Sequence, residues 1–263
     1  MVARINSQGM RSGEVFISYE YGQIVFHKPL ASFIMYLFTM LVMFIVIYLF
    51  LWSSGRAFTS LGLNPRTVSL IIIISLLGSY VNIPIYHYTL DEELVVTISY
   101  VNFYGITYPI PSLKKVRNKS IIAINLGGAL VPIIVSFYLS YKLLILESGL
   151  LMPLLISIII ASLVIHAYAK PIPHLGIAVP TLIPPLVSMT LALFWGFFGL
   201  DRSAMLTIAY VSGTLGSLIG ADLMNLDKVK DLKSPMVSIG GAGTFDGIFL
   251  SGLLAVLFID LLV

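Results

Sequence analysis

The chain has 263 residues, of which 58% are hydrophobic and 10% charged; its mean hydropathy is +1.00 and its formal net charge is +3. These values exclude a soluble globular domain and a nucleic-acid-binding protein, and they predict one polytopic domain in the lipid bilayer. There are no cysteines, which excludes disulfides, thiol catalysis and thiolate metal sites.

The N-terminal segment, residues 1–29, is polar and lacks the pattern of a signal peptide. Within it, residues 12–28 contain two aromatic-rich runs around Tyr21-Gly22, which predict a small β-hairpin. A second β element is expected at residues 94–111, inside a β-rich insertion at 86–118, because β-branched and aromatic residues dominate there. The predicted organisation is therefore a β-rich segment at 1–29 followed by a single membrane domain at 30–263.

Apolar segments predict an all-α polytopic membrane protein with about seven transmembrane helices. The predicted spans cover residues 30–51, 68–85, 120–141, 149–168, the stretch after Pro180 to residue 198, 204–226 and 237–262. Five prolines fall between Pro171 and Pro185, so the run from Pro171 to Pro180 cannot be a regular helix. We interpret that run as re-entrant or interfacial.

If the chain crosses the membrane seven times, its lysine and arginine residues are distributed unevenly between the two sides of the membrane. Eleven fall on the N-terminal side, and the other side holds four, namely Arg56, Arg66, Lys142 and Arg202. By the positive-inside rule, the N-terminus is expected in the cytoplasm and the C-terminus outside. The prediction is an integral, multi-pass cell membrane protein whose β elements lie on the cytoplasmic side.

Two aspartates, Asp222 and Asp246, lie inside the last two predicted spans. A carboxylate in a spanning segment is costly and is a functional-site hypothesis by default. Ser234 is twelve residues from each aspartate, so a turn at Ser234-Pro235 between two helices brings both acids to one depth. Two neighbouring carboxyl groups share a proton and can act as an acid and a base. Alternatively, each aspartate is structural, paired with a lysine or capping a broken helix.

Small and polar residues near these aspartates are predicted to bind substrate or to support the acid pair. They are Gly220, Asn225, Gly241, Gly243, Thr244, Asn82, Asn125 and Pro180. Glycines allow substrate backbone to approach closely, but ordinary helix packing explains them equally well. His166 and His174 fit a capping or interfacial role better than a metal pair, and neither a metal nor a cofactor is expected.

A weak internal repeat relates spans two and three to spans six and seven. LGSYVNIPI at 77–85 resembles LGSLIGADL at 215–223, and NLGGA at 125–129 resembles SIGGA at 238–242. The copies would run in the same direction around a pseudo-two-fold axis along the membrane normal, as in some transporters. Matches this short also arise by chance.

The aspartate segments resemble those of aspartyl intramembrane proteases, namely presenilin, signal peptide peptidase and, more distantly, prepilin peptidase. Ala221-Asp222-Leu223 stands where those proteins carry Y-D, and Gly241-Ala242-Gly243 precedes Asp246 as G-x-G precedes their second aspartate, with two extra residues here. Ala178-Val179-Pro180 lies in a broken segment like their P-A-L motif but does not match it. The whole chain also resembles an uncharacterised family of archaeal and bacterial membrane proteins that share GADL-x-NL and GGAGTFDG.

The predicted function is an intramembrane aspartyl peptidase that cleaves membrane-embedded peptides with an Asp222/Asp246 dyad. The alternative is a proton- or cation-coupled transporter of a small solute that uses the same carboxylates. A third possibility is a scaffold whose aspartates only hold helices together. The expected partners are therefore the bilayer and a membrane peptide or small solute, and the sequence does not indicate an oligomeric state.

Overall fold

The computed structural model describes residues 29–89, 93–103, 106–116, 119–146, 148–172, 176–232, 234–241 and 247–263. Within them the α-helices are α1 Pro29–Ser60, α2 Pro65–Gly78, α3 Val131–Leu146, α4 Leu151–Tyr168, α5 Ile183–Phe197, α6 Arg202–Ser217 and α7 Gly247–Leu262. The chain divides into two compact units, residues 1–48 and 49–263. The predicted hairpin at 12–28 lies outside the described residues.

Four helical stretches in the described part of the chain are long and apolar enough to cross a membrane. They are Phe33–Ser60, Leu126–Ile145, Leu151–Tyr168 and Arg202–Val229. Helices α2, α5 and α7 are apolar as well, but each is shorter than 18 residues. The prediction of a mostly helical, membrane-type protein is confirmed at this level.

Strands also occur, and they extend beyond the β element that is predicted at residues 94–111. The described strands are β1 Asn82–Thr89, β2 Glu93–Phe103, β3 Ile106–Val116, β4 Lys119–Asn125, β5 Lys170–Ile172, β6 Gly176–Ala178 and β7 Met236–Ile239. Strands β2 and β3 pair antiparallel, and both overlap the region 94–111, where a β element is predicted. Strands β5 and β6 form a second antiparallel pair, within the proline-rich run that cannot be a regular helix.

The third sheet takes residues from three predicted spans. Strand β4 pairs antiparallel with β1 and parallel with β7, in the order β1-β4-β7. Consequently the second, third and seventh spans are shorter as helices than the apolar pattern indicates. Short runs of isoleucine and valine suit a strand as well as a helix, and backbone pairing between distant segments decides which forms.

Polar side chains define where two of the helices begin. Asn64 precedes α2 and its Oδ1 accepts a hydrogen bond from the Thr67 amide at 2.9 Å, while Pro65 occupies the first turn. Asp201 precedes α6 and accepts hydrogen bonds from the Ser203 and Ala204 amides. Such caps satisfy amides that lack a partner inside the helix.

Helix α6 lies at the centre of the packed core. Its residues from Ala204 to Thr214 are all buried, and it packs against α3, α4, α5 and α7. Glycines bring α6 and α7 close together, since a Cβ added to Gly213 would lie 3.0 Å from the Gly252 Cα. Close approach of small residues is how helices associate in lipid, where the hydrophobic effect does not drive them together.

Asp260 joins one end of the helix bundle. Its carboxylate accepts hydrogen bonds from Arg202 Nη2 at 2.6 Å, Ser60 Oγ at 2.8 Å and Arg56 Nε at 3.0 Å. These partners place the C-terminal ends of α1 and α7 beside the N-terminal end of α6. Helix α6 therefore begins at the end of the bundle where α1 and α7 finish.

Candidate functional site: a cavity at a helix break

Helix α6 loses its regular geometry just before Asp222, the first of the two predicted catalytic aspartates. It continues as a π-helical turn, Leu218–Asp222, and then as a 3₁₀ segment, Leu223–Leu232. Inside the 3₁₀ segment, Asn225 departs from helical angles with φ −116° and ψ 15°. Residues 218–232 form the helix break. Short π-helical turns of this kind frequently occur at functional sites.

Asp222 lines a cavity of about 270 Å³ at this break. The other walls include Ile165 of α4, Ala178 of β6, Val179 directly after it, Pro184 of α5, and Ile248 of α7. Most of the lining is apolar, and Asp222 is half-buried. A space of about 10–15 Å³ is enough for one water, so this cavity has room for a water and for part of a larger molecule.

Asp246 lies outside the described residues, together with Gly243 and Thr244. Its covalent neighbour Gly247 lines the same cavity as Asp222.

The bend near Ser234 differs from the one that the spacing predicts. The expectation of two helical arms is wrong, because Met236–Ile239, which follows the bend, is a strand. Pairing with β4 draws this segment into the sheet, where each residue advances about 3.3 Å instead of 1.5 Å. Equal residue counts on the two arms therefore do not imply equal depth.

Asn225 is fully buried and holds the helix break together. Its Nδ2 donates to the Ala221 carbonyl oxygen at 2.9 Å and to the Gly220 carbonyl oxygen at 3.2 Å. Its Oδ1 accepts a hydrogen bond from Lys228 Nζ at 2.8 Å. His166 Nδ1 of α4 lies 3.1 Å from Asn225 Nδ2. The predicted residues Gly220 and Asn225 thus belong to the same helix break as Asp222.

Gly220 also allows α4 to pack closely on the break. A Cβ at this position would overlap the carbonyl oxygen of Ser162, so no larger residue fits without a shift of the backbone. The described contacts of Gly220 are therefore those of a residue that lets helices pack closely, which is the alternative explanation given above for the glycines.

The predicted residues Asn82 and Asn125 meet in the β1-β4-β7 sheet, and neither lines the cavity. Asn125 Nδ2 donates to the Ser79 carbonyl oxygen at 2.7 Å and to Asn82 Oδ1 at 3.1 Å. Ser238 Oγ lies 2.6 Å from Asn82 Oδ1 and 2.8 Å from the Gly241 carbonyl oxygen. Gly241 therefore belongs to this second polar cluster, which ties the ends of β4 and β7 to the end of α2.

Pro180 is exposed and lies between Val179 and Thr181, both of which line the cavity. The described parts of the proline-rich run thus reach the same site as Asp222. Among the described residues, no group of three or more His, Asp or Glu side chains could hold a metal ion.

The second matched segments of the predicted repeat, at residues 125–129 and 238–242, contact each other at their glycines. Strands β4 and β7 run parallel, with Ile124 opposite Ile239, and a pair of glycines follows close behind each. The Gly128 Cα and the Gly240 carbonyl lie so close that a Cβ on Gly128 would overlap that carbonyl. Gly240 itself has φ +84°, a conformation that favours glycine.

Sequence reasoning missed His166 and Lys228 as neighbours of Asn225. Lys228 is three residues from Asn225, and this spacing on a helix could have indicated the contact. His166 lies 59 residues away on another helix, and no local signal predicts that pairing.

Together, the long apolar helices and the carboxylate-containing cavity define a helical membrane protein with a candidate site at a helix break. A family model described as Protein of unknown function (DUF1614) matches residues 76–258, and the chain belongs to this family. The match includes both aspartates and the whole cavity lining. No curated protein and no solved structure matches the chain.

Proposed function

We propose that this protein is an intramembrane aspartyl peptidase that uses Asp222 and Asp246 to cleave membrane-embedded peptides. The observation that carries the proposal is the shared cavity. Asp222 and Gly247, the residue bonded to Asp246, both line it. One carboxylate takes a proton from water, which attacks the scissile carbonyl, while the other protonates the carbonyl oxygen. Aspartic dyads hold one proton between two carboxyl groups, and so supply the acid and the base together.

The walls of the cavity support a peptide as the substrate. Ile165 and Ile248 are apolar, as a site for the side chains of a membrane peptide requires. Strand β6 reaches the cavity through Ile177 and Ala178, and it pairs with β5 along one edge. An extended peptide can pair with the other edge of such a strand and present its backbone for attack. Ala178-Val179-Pro180 then occupies the place that the resemblance to aspartyl intramembrane proteases assigns to P-A-L.

The proposed topology has seven membrane-spanning helices, with the N-terminus in the cytoplasm and the C-terminus outside. The contacts of Asp260 with Arg56 and Arg202 support it, because both arginines fall on the side that the charge distribution assigns to the outside. The helix break would then open toward the cytoplasm, at the opposite end of α6 from Arg202.

Cleavage by the purified protein tests the proposal. Single-span peptides with a fluorophore and a quencher on opposite sides of the span are incubated with the full chain in detergent, and products are identified by mass spectrometry. Asp222→Asn and Asp246→Asn should each lower the rate by about 10²–10⁴-fold. Asp227→Asn is the matched control, because Asp227 is exposed in the 3₁₀ segment and should be dispensable. Normal cleavage by both cavity variants would refute the dyad.

A proton-coupled transporter is the second candidate, supported by the converging repeat copies. Parallel β4 and β7, each followed by glycines and a helix, are what two copies related by a pseudo-two-fold axis would present. Proteoliposomes containing a pH-sensitive dye and a potassium gradient with valinomycin test this function. Transport predicts faster proton uptake by liposomes that contain the protein than by empty liposomes, and loss of this excess in Asp222→Asn. Equal uptake by protein-containing and empty liposomes would count against transport.

A further inference from the structure

The π-helical turn in the helix break brings Ser217 and Asp222 to the same cavity. In a regular α-helix, residues five apart lie about 140° from each other around the axis, because each residue turns the chain by about 100°. Here the Leu223 amide donates to two carbonyl oxygens, and one of them, that of Leu218, lies five residues earlier. With such bonding, five residues make little more than one turn. Ser217 and Asp222 accordingly both line the cavity, where a regular helix would turn them to different sides.

The hydroxyl group of Ser251 on α7 determines where Ser217 donates its hydrogen. Ser251 Oγ lies 2.8 Å from the Gly213 carbonyl oxygen and 3.0 Å from the Ile248 carbonyl oxygen. A carbonyl oxygen can only accept, so one of these two takes the single hydrogen of Ser251. Ser217 Oγ, which lies 2.9 Å from Ser251 Oγ, therefore donates to it. A hydroxyl oxygen has two lone pairs besides its hydrogen, so toward a molecule in the cavity Ser217 acts as an acceptor.

Two acceptors in a mostly apolar cavity determine what the cavity binds. An ionised carboxylate has about four lone-pair sites, so Asp222 can accept from a bound molecule in addition to its contacts within the chain. Water has two hydrogens, one for each acceptor, and the cavity of about 270 Å³ has room for it. We propose that Ser217 and Asp222 bind one water molecule between them, each accepting one of its hydrogens.

The bound water is the nucleophile of the peptidase reaction. The water oxygen forms a bond with the scissile carbonyl carbon, Asp222 takes one proton from the water, and Asp246 gives a proton to the carbonyl oxygen. The hydrogen held by Ser217 stays on the attacking oxygen, so Ser217 orients the water without taking part in proton transfer. This role in hydrolysis rests on the proposed function, whereas the binding of the water does not.

NMR detects a water bound at the cavity wall without any peptide substrate. The full chain is prepared in detergent, deuterated except for ¹³C-labelled isoleucine methyl groups, and magnetisation transfer from water to these methyl groups is measured. The signals of Ile165 and Ile248, which line the cavity, are assigned with Ile165→Val and Ile248→Val. At least one of the two should show a cross-peak to water in the parent protein, and Ser217→Ala should abolish it.

Two further variants separate a bound water from other origins of the cross-peak. Asp222→Leu removes the second acceptor at similar volume and should also abolish the cross-peak, whereas a signal relayed by the exchanging hydrogen of the Ser217 hydroxyl would persist there. Ser251→Ala breaks the same hydrogen bond as Ser217→Ala but keeps the Ser217 oxygen, so the cross-peak should remain. Ser217→Cys, whose sulfur is only a weak acceptor, replaces Ser217→Ala if that variant does not elute as a single species on gel filtration.

Three results would overturn the water site. They are a parent protein without the cross-peak, survival of the cross-peak in Ser217→Ala or Asp222→Leu, and its loss in Ser251→Ala, which would mean that the bond between the two serines only supports packing.

The role of the water in hydrolysis is measured separately, with the single-span peptides. Ser217→Ala should lower kcat by about 10²-fold with KM nearly unchanged, because a misplaced nucleophile slows the chemical step and leaves substrate binding intact. Ser251→Ala should keep most of the activity. If the parent cleaves and Ser217→Ala has an unchanged kcat, the water is not the nucleophile. A parent that shows the cross-peak but does not cleave refutes the peptidase and leaves the water site standing.

Discussion

Replacing Asn225 with alanine should destabilise the protein more than any change to an exposed asparagine. The side chain is fully buried, and it forms one hydrogen bond with the charged Lys228 and two with backbone carbonyl oxygens. Net values of about 1.5–3 kcal/mol for the charged bond and about 1 kcal/mol for each neutral bond give a loss of about 3–5 kcal/mol. For a chain of this size the apparent midpoint of thermal unfolding should fall by about 10 °C.

The measurement is thermal unfolding of the detergent-purified protein at a fixed scan rate, since membrane proteins often unfold irreversibly. Asn64→Ala is the matched control, because it removes one exposed cap from α2 and should lower stability by about 1 kcal/mol. If Asn225→Ala is no less stable than Asn64→Ala, the hydrogen bonds of the helix break do not hold this part of the chain, and the reasoning fails.

Three further substitutions test the packing of the helices and the sheet. Gly252→Val should destabilise by about 1–3 kcal/mol, because its Cβ would overlap Thr214 Oγ1, whereas Gly149→Ala, with open space around it, should not. Asp260→Ala should lower stability by about 1–2 kcal/mol, since both arginine partners are half-exposed, and the loss should shrink at high salt because exposed charges are screened. Gly240→Ala should reduce the yield of folded protein on gel filtration more than Gly176→Ala, because only at Gly240 would the added Cβ meet another residue, Ala129.

Those residues of the candidate site that stand out against their neighbours in the sequence were predictable. Asp222 is recognisable because a carboxylate among apolar residues is unusual, and Pro180 because prolines exclude a regular helix. The contact between His166 and Asn225 was not predictable, since it joins two helices 59 residues apart. The equal-depth argument failed for the same reason, because it assumed that the segment after Ser234 folds by its own preference.

The amino-acid sequence by itself determined the class of the protein and its main helices. Long apolar stretches cannot be buried in so small a soluble protein, and their lengths match the thickness of a bilayer. Only the tertiary structure decided that residues 120–125 and 236–239 are strands and that Asp222 faces a cavity with Gly247. An isoleucine-rich run satisfies its backbone polar groups in a helix or in a sheet, and the choice depends on whether a distant strand is there to pair with it.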